Sequence, residues 1–223
     1  MTVNLTELAA QKFNLTLTPK QAHQFEQYHQ VLDEWGKQMN LTTITDPDEV
    51  IIRHFLDSLS ITDVIGFDDG DSMIDVGTGA GFPGLALAIA YPNVQVTLLD
   101  SVQKKLKFLQ AVIDELKLDN VEVLHMRAED AGNHNEHREQ YDVVTARAVA
   151  MLPVLLEYTL PLAKVGGFMV AMKGESAERE IEEAKRALFI LQGEAKPVYE
   201  YHLPDVERSH YLVTIQKHGK TPR

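Results

Sequence analysis

Met73-Ile74-Asp75-Val76-Gly77-Thr78-Gly79-Ala80-Gly81-Phe82-Pro83-Gly84 is the stretch on which the fold turns. A short apolar run passes an acid and ends in a glycine-dense turn. Leu85-Ala86-Leu87-Ala88-Ile89-Ala90 then reads as an apolar helix. Strand, glycine turn and helix N-terminus, in that order, let backbone approach a nucleotide-like ligand at a strand end. Three alternating glycines plus Gly84 carry a chain entropy that a plain turn avoids, which favours a ligand there.

Downstream of this stretch, strands and helices alternate. Strands are expected at 73–76, 94–99, 121–125, 141–145 and 168–172, with helices at 85–91, 103–116 and 151–163. Such alternation implies an α/β fold with a parallel sheet and right-handed crossovers. Residues 198–202 and 211–216 read as two strands with no helix between them, so one strand reverses at the sheet edge. Upstream, Phe25, Tyr28, Leu32, Trp35 and Met39 lie three and four apart, one apolar face of a helix from Pro19 to Met39. Asp46-Pro47-Asp48-Glu49 announces a second helix, with Asp46 as N-cap, Pro47 at N1 and Glu49 as capping-box partner. It is expected to run to Ile65 and stop at Gly66. The chain thus divides into a helical extension, residues 1–70, packed on a ligand-binding domain, residues 71–223.

Composition narrows the chemistry. With 223 residues, 44% hydrophobic and 24% charged, the chain can build a full core. It has no cysteine. Disulfide-linked partners, thiolate metal sites, cysteine-held clusters and cysteine nucleophiles are excluded. No apolar run approaches the ~20 residues of a membrane span, and the first residues carry no leader pattern, so a cytoplasmic setting is expected. The nine histidines show no ligand spacing, and no metal is expected. The net charge is −12, of which residues 1–72 carry −8. A globally basic face is ruled out, and a local one is not.

The glycine turn departs from the dinucleotide fingerprint: Phe82 stands where the third glycine allows close helix packing. No Gly-Lys-Ser/Thr follows, so it is no P-loop. Asp75-Val76-Gly77-x-Gly79-x-Gly81 instead resembles motif I of class I S-adenosylmethionine methyltransferases. That ligand has no phosphate. Its amino-acid end needs a carboxylate for the ammonium and amides for the carboxylate. Asp100, at the next strand end and 23 residues after Gly77, suits ribose hydroxyls, or else a helix cap. Ala128-Glu129 follows the third strand.

The combination of this motif with Leu98-Leu99-Asp100-Ser101, Arg127-Ala128-Glu129 and Thr145-Ala146-Arg147-Ala148-Val149-Ala150 resembles the RsmG (GidB) family. Asn40-Leu41-Thr42 and Arg53-His54-Phe55-Leu56-Asp57-Ser58-Leu59 match it upstream. These are bacterial methyltransferases acting on guanine N7 of 16S ribosomal RNA. The resemblance implies a Rossmann-like class I methyltransferase: a mostly parallel seven-stranded sheet with one antiparallel edge strand, plus the helical extension. It implies S-adenosyl-L-methionine as cofactor and, as its contacts, Gly77, Phe82, Ala128, Glu129 and Arg147, to which Gly79, Gly81 and Asp100 are added. It implies a target in the decoding-region loop, within the small subunit or an assembly intermediate of it. Phe82 is expected to wall the methionine side, since a Phe inside a glycine turn is poorly placed for the core.

Guanine N7 carries an unshared pair and no proton at neutral pH. No general base is required, so no catalytic residue is assigned beyond positioning by Arg147. Candidate RNA contacts are Arg53, His54, Lys104, Lys105, Arg127, Lys173 and Arg208, with Lys107 and His210 nearby. A solvated helix face for the lysines, and packing for His54, stand beside that reading. No aromatic-rich basic patch is visible, so weak binding to naked RNA is expected. A methyltransferase of small molecules or proteins, or a non-catalytic cofactor-binding module, remain open on the same residues.

Overall fold

A computed structural model describes residues 3–222. Two helices open the chain, α1 (Leu5–Phe13) and α2 (Pro19–Gly36). A continuous helical segment follows: α3 (Pro47–Val50), a π-helical stretch Ile51–Leu56, α4 (Asp57–Leu59) and a 3-10 turn Ser60–Asp63. The domain proper runs β1 (Ser72–Val76), α5 (Gly84–Ala90), β2 (Gln95–Asp100), α6 (Gln103–Leu116), β3 (Val121–His125), α7 (Ala128–Ala131), β4 (Tyr141–Arg147), α8 (Leu152–Thr159), β5 (Ala163–Lys173), α9 (Ala177–Leu191), β6 (Gly193–Ala195), β7 (Tyr199–Tyr201) and β8 (His210–Lys217).

The sheet order is β3-β2-β1-β4-β5-β8-β6, with β7 also on β8. Strands β1 to β5 are parallel, and β8 runs antiparallel to β5. The sheet has eight strands but is seven positions wide. β6 pairs residues 215–217 of β8 and β7 pairs residues 210–212, sharing the outer edge end to end. Strand order reverses between β1 and β4, and ligands bind outside the strand ends at such a point.

Alternate residues of the strands feed two cores. Met73, Val96, Leu98, Val143, Val170 and Leu212 face α5, α6 and the N-terminal helices. Ile74, Leu99, Val144, Met169, Val213 and Ile215 face the side covered by α8 and α9. The N-terminal helices share the first core rather than forming one of their own: Phe25, Tyr28, Leu32 and Phe55 are buried in it. They also satisfy helix-end carbonyls of the domain. Gln21, which closes a capping box with Thr18, donates to Ile89 O (2.9 Å) and Ala90 O (2.8 Å) at the end of α5. Gln24 donates to Leu116 O at the end of α6 (3.0 Å).

Several local expectations change. Asp46 caps α3 through the Glu49 amide (3.0 Å), but the Glu49 carboxylate pairs with Arg53 (3.3 Å) instead of closing a box. The second helix ends as a 3-10 turn at Asp63, before Gly66. The helix expected over 151–163 stops at Thr159, ahead of Pro161, and β5 starts at Ala163. The acid-rich segment 177–191 is a helix, α9, whose buried face is Ala177, Glu180, Ala184 and Leu188. The 132–140 stretch is tied down: Arg138 donates to Gly132 O and Thr221 O (both 2.6 Å), and Glu139 accepts from Lys217 (3.0 Å). Among the described residues no helix is long and apolar enough to cross a membrane.

Candidate active site

Two cavities open at the ends of the parallel strands, separated by the segment after β4. The first, about 290 Å³, is lined by Gly77, Asp100, Ser101, Ala128 and Glu129, with Leu99, Met126, Val149, Ala150 and Tyr158 as further walls. It brings together residues from the ends of β1, β2 and β3. Gly77 stands at φ +68, a left-handed conformation, and a Cβ there would lie 2.8 Å from Val149 Cγ2. The donor set suits a nucleoside without phosphate. Arg127, the one cation on the lining, is paired with Glu129 (3.1 Å). The walls offer carboxylates and apolar surface.

Asp75 has a different role from an ammonium partner. It is fully buried, accepting from the Gly84 amide (3.0 Å) and Thr145 Oγ1 (2.9 Å). Burial pushes its carboxyl up to about 6, against the hydrogen bonds that favour the charged form. Asp75 braces the glycine turn against β4 and the start of α5. Asp100 holds the turn from the other side, accepting from the Gly79 amide (3.0 Å) and the Val102 amide (2.8 Å). It therefore lines the cavity while capping the approach to α6.

The second cavity, about 500 Å³, lies on the far side of the 147–150 segment. Its near wall is Arg147 and Ala148, and its far wall is Tyr201, Arg208 and His210. Ala148 sits at φ +56, a conformation disfavoured for a residue with a Cβ. The centre of the second cavity's wall is Asp57. Its carboxylate receives Arg147 NH1 (3.0 Å) on Oδ2, and Tyr201 OH (2.7 Å) and His210 Nδ1 (3.3 Å) on Oδ1. These donors hold its pKa low despite burial. The π-helical stretch contributes too: the Arg53 carbonyl accepts from Arg147 NH1 (3.2 Å).

His54 completes this wall from inside. It stacks on Phe82 at 4.6 Å, and its Nδ1 accepts from Arg147 NH2 (3.2 Å). Nε2 therefore carries the proton and donates to Thr42 Oγ1 (2.7 Å). Burial, and then Arg147, lowers its pKa to about 4, so it is neutral at pH 7.

Of the residues expected from sequence, Gly77, Asp100, Ala128 and Glu129 converge on the first cavity. Arg147 lines the second, ion-paired to Asp57. Phe82 is buried among Tyr28, His54 and Phe55 and is not on the lining of either cavity. The N-terminal helices supply the apolar surroundings that a glycine turn lacks. Gly79 does not line the cavity, and Gly81 packs beneath Tyr28 and Leu109. Tyr28 OH donates to Ala80 O in the same turn.

The basic rim is smaller than expected. Lys173 is mostly buried, donating to Glu180 and Ala150 O (both 2.7 Å), so its charge is used internally. His54 is buried, and Lys105 and Arg127 pair with Asp100 (3.4 Å) and Glu129. Arg208 and Lys104 are exposed with no ion pair among the described residues, and Arg53 is partly exposed beside Glu49. Sequence reading missed Asp57, Tyr201, Met126 and Val149 as lining residues, although Asp57 and Val149 sit inside segments it had singled out. Among the described residues, His134, Glu136 and His137 form one set of potential metal ligands within 4.8 Å of one another. Their clustering is accounted for by local hydrogen bonds, His137 Nδ1 to Tyr141 OH (2.9 Å) and the Glu136 amide to His134 Nδ1 (3.4 Å).

Comparison with known proteins agrees with this geometry. Residues 21–210 match the family model GidB, described as rRNA small subunit methyltransferase G. Proteins named ribosomal RNA small subunit methyltransferase G are 47% identical over 213 residues in Acetivibrio thermocellus (96% of this chain, 87% of that one). The figure is 44% over 225 residues in Leuconostoc citreum (100% and 94%). Among solved structures, a SAM-dependent O-methyltransferase from Thermotoga maritima shares the fold, with TM-score 0.56 and 17% identity over 86% of this chain and 73% of that one. An rRNA methylase from Streptococcus thermophilus does so at TM-score 0.51 and 19% identity over 68% and 89%. By sequence and architecture together, the chain belongs to the rRNA small subunit methyltransferase G (GidB) family.

Proposed function

We propose that this protein methylates N7 of a guanine in 16S ribosomal RNA, with S-adenosyl-L-methionine as methyl donor, in the cytoplasm. One observation carries the reading: a nucleoside-sized cavity and a larger cavity meet across the 147–150 segment. That arrangement suits a donor on one side and a target base on the other.

When bound, the donor supplies an electrophilic methyl group. Gly77, Asp100, Ala128 and Glu129 would hold its nucleoside, with Met126 and Leu99 as apolar walls. Arg147, locked by Asp57 and the Arg53 carbonyl, fixes the wall between the cavities. Its pairing with Asp57 neutralises a charge that would otherwise oppose a cationic product. Guanine N7 needs no base, so the residues act by alignment and by excluding water.

Arg53 and Arg208 line the larger cavity, and Lys104 lies in the first turn of α6, just after Asp100. These few cations, on a chain of net charge −12, support a folded target that presents its own surface: the small subunit or an assembly intermediate rather than free RNA. The test is transfer of labelled methyl from the donor into small subunits purified from a strain lacking the protein, with mass-spectrometric mapping of the modified guanine. Incorporation confined to one guanine is the expected result; label in protein or metabolites alone would refute it.

A further inference from the structure

The segment from β4 to α8 divides the two cavities, and its own backbone does little to hold it. Ala148 sits in the left-handed region at φ +56. Ala148, Val149 and Ala150 make no hydrogen bond to another backbone group among the described residues. The side chains of Val149 and Met151 are not packed away either, these residues being 37% and 46% exposed. A strained conformation persists only where its surroundings over-determine it. The hold on this segment must come from elsewhere.

Two buried side chains supply it. Lys173, at the end of β5, donates to Ala150 O (2.7 Å). Glu180, in the first turn of α9, accepts on Oε2 from the Leu152 amide (2.8 Å) and from Lys173 (2.7 Å). Its Oε1 accepts from Ser176 Oγ (2.7 Å). Burial would raise the pKa of Glu180, but Lys173, Ser176 and the Leu152 amide hold it below the usual carboxylate value. One carboxylate thus grips the segment twice, directly at Leu152 and through Lys173 at Ala150. Glu180 lines neither cavity. Val149 and Ala150 line the donor-side one, and Arg147 and Ala148 line the larger one.

We propose that Glu180 is a positioning residue for methyl transfer: from outside both cavities it fixes the 147–152 segment, and with it the separation of donor and target. This rests on the proposed two-cavity reading of the methyltransferase. Transfer forms the bond from N7 to the methyl and breaks the bond from sulfur to the methyl in line. Positive charge passes from sulfur to the base, and no proton moves. With no acid or base to supply, the rate depends on how closely the two reactants are held in register. A segment released at Ala150 and Leu152 shifts Val149 on one side and Arg147 on the other, so the loss should appear in the transfer step itself.

The test uses the full chain and small subunits from a strain lacking the protein. Single-turnover transfer is measured at saturating donor and expressed per folded molecule. Glu180→Met removes the grip and should lower the rate about tenfold or more. Glu180→Gln is the rescue: its oxygen accepts from Leu152 and Lys173, and its amide can donate to Ser176. It loses the charge but keeps the bonds, so its rate should stay within about threefold of the parent. Should Glu180→Met fail to fold, the double variant Lys173→Met with Glu180→Met leaves no unpaired charge and should be as slow. Rates within twofold of the parent in the Met variants would overturn the assignment, as would Gln and Met variants equally slow. Either result beside normal wild-type transfer sinks this inference alone. If the wild type transfers no methyl to any subunit, the functional reading fails, and the inference with it.

Discussion

Each end of the sheet buries a charged group, and the two are built to opposite purposes. At the end where β8 finishes, Lys217 is wholly buried, and its ammonium is enclosed: it donates to Leu160 O (2.9 Å), Ala163 O (2.8 Å) and Glu139 (3.0 Å). Desolvation still lowers its pKa, but the three hydrogen bonds leave its ammonium no donor to spare. At the other end Asp57 gathers Arg147, Tyr201 and His210 beside a cavity of about 500 Å³, and His210 keeps a nitrogen unused. A buried charge whose bonds are all internal is a fastening. One whose partners still point into open space is set up to meet something else.

That contrast is most strongly tested by removing each centre. Asp57→Ala leaves the Arg147 guanidinium in the wall without its carboxylate. Breaking a buried pair costs about 3–5 kcal/mol, and transfer per folded molecule should fall about a hundredfold as Arg147 and His210 lose their fixed positions. Denaturant unfolding and single-turnover assays read the two effects, and a variant with wild-type turnover would remove Asp57 from the site. Lys217→Met should lose stability by about 3 kcal/mol, because two buried carbonyls are left unpaired and Glu139 loses its counter-charge. Its donor affinity and transfer per folded molecule should match the parent. Activity lost beyond the unfolded fraction would mean that the fastening end is coupled to the chemistry.

A smaller effect separates the titrations of the active end. The carboxyl of Asp75 is raised to about 6 by burial, above about 3.9 for a free side chain. Its contribution is present below about pH 4 and is lost as pH rises through 6. His54, lowered to about 4 chiefly by burial from about 6.5, acts in the opposite sense: its contribution is present above pH 6.5 and is lost as pH falls through 4. The two offset each other in the wild type. Asp75→Asn removes one side, so between pH 6.5 and 4 it should lose about 2 kcal/mol more stability than the parent. Unfolding free energies at those two pH values check this; parallel curves would show that Asp75 does not hold a proton there.

The same division explains what could be read from sequence. Strand and helix alternation, the glycine turn and Asp100, Ala128 and Glu129 are local signals, each placed at a strand end by chain order alone. Asp57 could be singled out as part of a segment but not as a hub. Its partners lie 90 residues away at Arg147 and 144 away at Tyr201, and no periodicity encodes such a meeting. The surroundings of Phe82 were illegible for the same reason, since its buried neighbours come from helices before residue 60. Helix α9 was different: Ala177, Ile181, Ala184 and Leu188 carry a helical spacing, hidden beneath a run of glutamates that reads as a solvated charge cluster. β6, three residues long, is too short for alternation to register.

The mildest expected effect belongs to the glycine turn itself, where the active end meets its donor. Gly77→Ala must hold a Cβ at φ +68, which costs about 1–2 kcal/mol for a residue other than glycine. The new methyl would lie 2.8 Å from Val149 Cγ2, closer than side-chain carbons pack. Val149 must shift, and it belongs to the short segment that carries Ala148 at φ +56 and divides the two cavities. Donor affinity should therefore drop about tenfold, or about 1.4 kcal/mol, while unfolding changes by a similar amount. The Lys217 end should not respond, because none of its hydrogen bonds touches this segment. Calorimetric titration of the donor into the variant decides the matter: unchanged affinity would mean that the donor does not approach Gly77, and the smaller cavity would lose its assignment.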